Sequence, residues 1–319
     1  MHARQHIFLA AGLVLGLLLA AACGPRKAQA PVTREFPMAE APRMVTDPGQ
    51  RMEWICDHFW DRFTATDSLY HCDTLTVNGV PKDQVEKQMG VFATLLEQIP
   101  LSRGQKAMRT LYDRLEAFQL AHPEGNVLPE VVGLASRYFY DPNSPVRSAD
   151  LYGALAEKLA ASALIQEDYR AHYAWEAKAC SLNRTGTVAA DFTFIDTAGR
   201  RRTLHSVKAE RTLLIFGNPD CQACRDLVDM MNAYPGIQAQ ISSGALKVVD
   251  VYIDEEIDLW RAHTADYPKD WICGYDPTFT IREDRLYSVR AIPSIYLLDA
   301  KKTVLVKDAA PEIILQALL

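Results

Sequence analysis

The chain has 319 residues, 49% of them hydrophobic, and a formal net charge of −6. That length and apolar share can bury two cores, and the charge balance lacks the overall basic bias that would point to a nucleic-acid partner.

His2, Arg4 and His6 open the chain ahead of a run of apolar and small residues, Ile7 to Ala22, that ends Leu19-Ala20-Ala21-Ala22-Cys23-Gly24. The run is shorter than the roughly 18 to 20 residues of a bilayer span. A short apolar region closing in small residues before a cysteine reads as an export signal over residues 1–22, with Cys23 as the lipidated first residue of the mature chain. An ordinary secretory signal cleaved near Ala22, leaving Cys23 free, is the alternative. Either way the protein reaches a compartment that permits disulfides.

Residues 23–46 read as a tether between lipid and globule, because four prolines between Ala28 and Pro48 accompany no sustained period. A helical domain is expected over residues 47–183. Met52, Ile55, Cys56, Phe59, Trp60 and Phe63 share one helical face, and Val85, Met89, Phe92, Leu96 and Ile99 repeat the pattern after Pro81. Met108, Leu111, Leu115 and Phe118 repeat it again behind Ser102-Arg103-Gly104-Gln105, which reads as a capping box. Segments from Val131, Leu151 and Tyr169 bring the count to about six helices, with Asp141-Pro142-Asn143-Ser144-Pro145 as a break. The stripe Trp54, Phe59, Trp60, Phe63 reads as core rather than a partner groove. His58, Asp61 and His71 read as solvated polar residues, and no metal site is expected.

After residue 183 the pattern changes to short strands. Phe192 to Ile195 and Thr212 to Phe216 are strand-like, and the latter breaks at Asn218-Pro219-Asp220 to deliver Cys221 and Cys224 at the start of a helix marked by Leu227, Met230, Met231 and Tyr234. A sulfur at a helix N-terminus feels unpaired N–H groups that favour thiolate, and a second sulfur one turn on can close a disulfide. The same CxxC spacing makes half a zinc site, but zinc wants a second close pair, and Cys23, Cys56, Cys72, Cys180 and Cys273 are scattered singly. A strand Leu246 to Ile253, a helix around Glu255 to Thr264, Arg290-Ala291-Ile292-Pro293-Ser294 opening a further strand, a hairpin with Thr303 to Lys307 and a helix from Pro311 complete the order. Arg200, Arg201 and Arg202 fall at a hairpin turn and read as a solvated loop tip.

The CxxC, the Ile-Pro before a strand and this β-α-β then β-β-α order resemble a thioredoxin-like domain, over residues 184–319. The extra hairpin at Ala189-Ala190-Asp191-Phe192-Thr193-Phe194 resembles the TlpA/ResA-like branch. The expected fold class is therefore α/β, a C-terminal thioredoxin-like fold preceded by an all-α domain. The resemblance implies a cis bond at Pro293, with Ile292 offering its backbone to an extended substrate. It implies Cys221 as attacking and Cys224 as resolving thiol, with no cofactor. Two departures stand out. Asp220 replaces the Trp before the first cysteine, and Ile215 replaces the buried Asp that helps the second cysteine ionise. Peroxidase activity is not expected, since Asn218 stands where peroxiredoxins need Thr.

The helical half resembles an uncharacterised family of thioredoxin-like lipoproteins from anaerobic gut bacteria, through Asp47-Pro48-Gly49-Gln50-Arg51 and His58-Phe59-Trp60-Asp61-Arg62-Phe63. Gly24-Pro25-Arg26-Lys27 lacks the acidic run that resembles a surface-export signal, which favours the periplasmic face of the outer membrane. For the spare thiols, Cys56 with Cys72 and Cys180 with Cys273 are the first pairings to test, with buried free thiols as the alternative; Cys273 could also act as an auxiliary thiol. The expected function is a membrane-tethered thiol-disulfide oxidoreductase of the periplasm, whose partners are protein thiols or disulfides and an upstream electron donor or acceptor. The alternative is a non-catalytic thioredoxin-fold module that presents a helical partner-binding domain.

Overall fold

In the computed structural model, which describes residues 33–67 and 70–319, helices occupy the N-terminal half and one mixed sheet the C-terminal half. The leader and Cys23 lie outside the described residues.

Helix α1 (Pro48–His58) starts where Asp47 accepts a bond from the Gln50 N–H at 2.7 Å and Pro48 supplies a φ already suited to the first turn. A hairpin follows, β1 (Thr76–Val77) and β2 (Val80–Pro81), turned by Asn78 and Gly79 with φ of 48° and 77°. Asn-Gly between two valines is a hairpin signal that helical periodicity overlooks. Then come α2 (Lys82–Leu96), α3 (Leu101–Ala121), α4 (Val127–Phe139), α5 (Ala149–Ala161) and α6 (Glu167–Ser181). The expected capping box at Ser102 does not form. Helix α3 begins two residues earlier, with Pro100 as N-cap and its carbonyl accepting from the Arg103 and Gly104 N–H groups, which places Ser102 inside the first turn.

Phe59 and Trp60 are buried against Phe92 of α2 and Phe63 against Trp60, so these three are core, whereas Trp54, the fourth member of the stripe, is half-buried and stacks on His58 at 4.1 Å. Met89 of α2 and Met108, Leu111, Leu115 and Phe118 of α3 extend the same cluster, each contributing about 1.5–3 kcal/mol through burial. Part of the expected tether belongs here too. Phe36 is buried and stacks on Phe63 at 5.1 Å, while the Arg34 N–H donates to Gly79 O at 2.8 Å and its side chain lies 3.8 Å over Tyr70. A lone aromatic among prolines carries no period, yet it has a hole to fill.

The sheet has strand order β4-β3-β7-β6-β5-β8-β9, built from β3 (Thr193–Asp196), β4 (Arg201–Thr203), β5 (Arg211–Gly217), β6 (Leu246–Tyr252), β7 (Ile272–Tyr275), β8 (Ser294–Asp299) and β9 (Val304–Lys307). β5 lies between β6, which is parallel to it, and β8, which is antiparallel. Its side chains alternate, with Leu214 and Phe216 entering one core and Leu213 and Ile215 the other, against α7 (Gln222–Asn232), α8 (Pro235–Ser243) and α10 (Pro311–Leu318). The sequence order omitted β7, which α9 (Ile257–Ala262) connects in parallel to β6. At the β3–β4 turn, Arg200 and Arg202 clamp the buried Asp196 at 2.9 and 2.8 Å, so two of the three arginines are not simply solvated.

The two halves meet around β9. The Lys307 ammonium, with its side chain only 2% exposed, donates to the Cys180 and Leu182 carbonyls at the C-terminus of α6, both at 2.6 Å. Arg147 donates to the Asp308 and Ala309 carbonyls at 3.0 and 2.8 Å.

Candidate active site

Cys221 is the N-cap of α7. Its Sγ accepts from the Cys224 N–H at 3.2 Å and its thiol faces the Ile292 carbonyl at 3.6 Å. The Ile292–Pro293 bond is cis. The structure thus brings Cys221, Cys224, Ile292 and Pro293 together from the end of β5 and the start of β8, which are neighbours in the sheet. Both thiols are half-buried.

The loops around the thiols are braced by side chains. Asn218 donates to Asp254 at 2.9 Å, Arg282 donates to the other Asp254 oxygen at 2.8 Å, and Arg225 reaches back to the Pro219 carbonyl at 2.8 Å. On the other side Asp308 accepts from Ser294 Oγ at 2.8 Å and from Arg290 at 3.0 Å, gripping the chain before and after Ile292-Pro293.

Burial raises the pKa of the Cys224 thiol above its usual range, with the bond to Cys221 as the next cause and the Asp250 charge as a smaller one. Asp250 is the residue that sequence reasoning missed. It stands in β6 beside Ile215 of β5, is buried, and presses one carboxylate oxygen to 2.9 Å from where a Gly217 Cβ would be. Desolvation lifts its carboxyl to about 7, and its Oδ1 has no hydrogen-bond partner. The interior next to the second cysteine therefore holds an acid, supplied by the strand adjacent to the one where Ile215 replaced it. The only trace in the sequence is a lone Asp inside Val248-Val249-Asp250-Val251.

Neither expected pairing of the spare cysteines forms; all six described cysteines are free. Cys56 is buried in the helical core and Cys72 lies on the loop before β1, its thiol on the Tyr70 carbonyl. Cys180 is in α6 at the junction, whereas Cys273 is in β7 directly opposite Asp250. Burial pushes Cys56 and Cys180 up to about 12 and raises Cys273 as well, which leaves all three poor nucleophiles at neutral pH. His58 pairs with Asp61 and His71 with Asp73, and no group of three metal-ligating side chains occurs among the described residues.

Two thiols at the N-terminus of the helix that follows the central strand, facing an X-Pro cis bond at the start of the next, define a thioredoxin-like protein. A thioredoxin-like protein from Bacteroides caccae is 34% identical and superposes with a TM-score of 0.77, over 89% of this chain and 98% of its own. The C-terminal domain of an uncharacterized protein from Bacteroides fragilis is 43% identical over 43% of this chain and 97% of its own, with a TM-score of 0.41. The thioredoxin domain of a thiol-disulfide oxidoreductase from Bacteroides vulgatus is 21% identical over 43% and 99%, with a TM-score of 0.35. Residues 21–181 match the family described as Domain of unknown function (DUF5106). No curated protein matches. The chain belongs to the thioredoxin-like proteins, with a DUF5106 domain as its helical half.

Proposed function

We propose that the protein is a thiol-disulfide oxidoreductase of the periplasm, held by lipidated Cys23 at the periplasmic face of the outer membrane and exchanging disulfides with exported proteins. The observation that carries this reading is the placement of Cys221, at the start of α7 with Cys224 one turn behind and the Ile292 carbonyl opposite.

In the reducing direction the Cys221 thiolate attacks a substrate disulfide, forming a mixed disulfide while the substrate's other sulfur leaves as a thiolate. Cys224 then transfers its proton to the Asp250 carboxylate and attacks the Cys221 sulfur, releasing the second substrate thiolate. Two electrons pass to the substrate and a Cys221–Cys224 disulfide remains, to be reduced by an upstream thiol donor. The oxidising direction runs the same steps backwards toward an electron acceptor. An acid that titrates near 7 suits this role, because it can both take and return a proton at neutral pH.

The test is order of attack. Cys224→Ser should accumulate covalent complexes with envelope proteins that reductant dissolves, and Cys221→Ser should trap none. Equal trapping by both variants, or none by either, would sink the reading.

A further inference from the structure

A cavity of about 1060 Å³ opens between the two halves of the molecule. α6 and the end of α4 form one wall, and residues 281–290 form the other. Sites for ligands favour such junctions and this size range. The second wall belongs to residues 276–293, which contain no helix or strand and run directly into Ile292-Pro293. Loops of that length inside a compact fold usually carry function.

The cavity is joined to the thiols at two points. Arg282 in its wall holds Asp254, which holds Asn218 in the turn before Cys221. Arg290, also in the wall, precedes Ile292 by two residues, about 7 Å of extended chain at most. A polypeptide engaged at Cys221 therefore passes within reach.

Two arginines from this loop lie over aromatic rings of the helical half. Arg290 is 4.3 Å above the Tyr140 ring, and its guanidinium is completed by Asp308 at 3.0 Å. Arg285 lies 5.2 Å above Trp175, which stacks in turn on His172. Here the construction stops short: Arg285 has no carboxylate partner among the described residues, Trp175 is 46% exposed, and Arg285 holds a φ of 50°. A long side chain in the left-handed region is strained, and such residues cluster where ligands are held. An arginine resting on a ring keeps its in-plane N–H fork free for a bidentate carboxylate. Arg290 has one from within the chain, and Arg285 does not. Glu283 and Asp284 precede Arg285 on the exposed loop, so the cleft's charge is mixed and recognition depends on the stacked fork rather than on a net field.

We propose that this cleft binds an acidic residue of the disulfide substrate, whose carboxylate completes the Arg285–Trp175 stack while the substrate cysteine engages Cys221. This inference rests on the thiol-exchange reading and names the substrate class it selects: exported polypeptides with Glu or Asp within about seven residues of the reactive cysteine, the extended length from Arg285 to Ile292.

The experiment uses the full-length protein and peptide mixed disulfides in which one Glu is scanned two to seven positions either side of the cysteine, each with a Gln twin. At one or more positions the Glu peptide should show about fivefold lower KM at equal kcat, and Arg285→Met should erase that difference. Exchange of the Gln twin reports that the variant is folded. Exchange with no Glu–Gln difference at any position, or a difference that survives Arg285→Met, overturns the inference while leaving thiol exchange standing. If neither twin is exchanged, the thiol-exchange reading fails instead. Anisotropy of a fluorescein-labelled, cysteine-free Glu peptide at low salt then decides the cleft alone: binding lost in Arg285→Met supports it, and no binding to the parent protein overturns it.

Discussion

Asp250 joins chemistry and stability in one side chain. Its carboxyl stays protonated to about pH 7 in the folded protein but ionises near 3.8 when unfolded. The native state therefore binds one more proton between those limits, and its stability falls as pH rises through that window. Asp250→Asn removes the titration, so thermal melts of variant and parent should nearly coincide at pH 3 and separate progressively from about pH 4 to pH 8. There the variant is the more stable, by about 4 kcal/mol at most. The same substitution removes the proposed proton acceptor for Cys224, and release of a preformed mixed disulfide should slow about a hundredfold at pH 8. Rapid-quench gels across pH should show the parent's rate rising toward an inflection near 7 that the variant lacks. A variant that resolves as fast as the parent would remove Asp250 from the mechanism and leave it a buried acid without a task.

At the scale of elements, the join between α6 and β9 depends on Lys307. Its ammonium satisfies two carbonyls at the end of α6, where a cation also complements the helix dipole, and it lies 4.0 Å from Asp150. Lys307→Met keeps the apolar stem and strands those acceptors together with the Asp150 charge. Urea unfolding should show a loss of about 3 kcal/mol. Nothing local marks this lysine, because its partners lie more than a hundred residues away in the chain. The elements legible in the sequence are those with enough residues to display a period: α7, with Leu227 and Met231 one turn apart, and β5, an apolar run ending at a Pro-containing turn. Strand β7 has four residues, too few to alternate convincingly, and it was missed together with the position of Cys273 in the sheet. The candidate site divides in the same way. Cys221, Cys224, Ile292 and Pro293 are contiguous motifs and could be read, whereas Asp250 and Asp308 matter only through strands that folding brings alongside.

For the whole molecule, the proposed anchor makes a separate prediction. Cys23→Ser should move the protein from the membrane fraction to the soluble periplasmic fraction and leave its unfolding curve unchanged, since no core of the described residues includes the leader segment. Unchanged partitioning would point to another membrane contact and would remove the lipid from the proposal.

The docking of Arg34 and Phe36 also limits the reach of the proposed anchor. A tether ending at residue 46 would give the body a tether of roughly 23 residues, about 80 Å when fully drawn out. Because the chain is gripped from Arg34, no more than about 11 residues separate that grip from Cys23, a span of at most about 38 Å. If Cys23 carries the proposed lipid, such a leash would hold the near side of the body within about 38 Å of the membrane. Its clients would be polypeptides passing close to that surface, and lengthening the leash by a dozen residues would widen the clientele without altering a single contact in the fold.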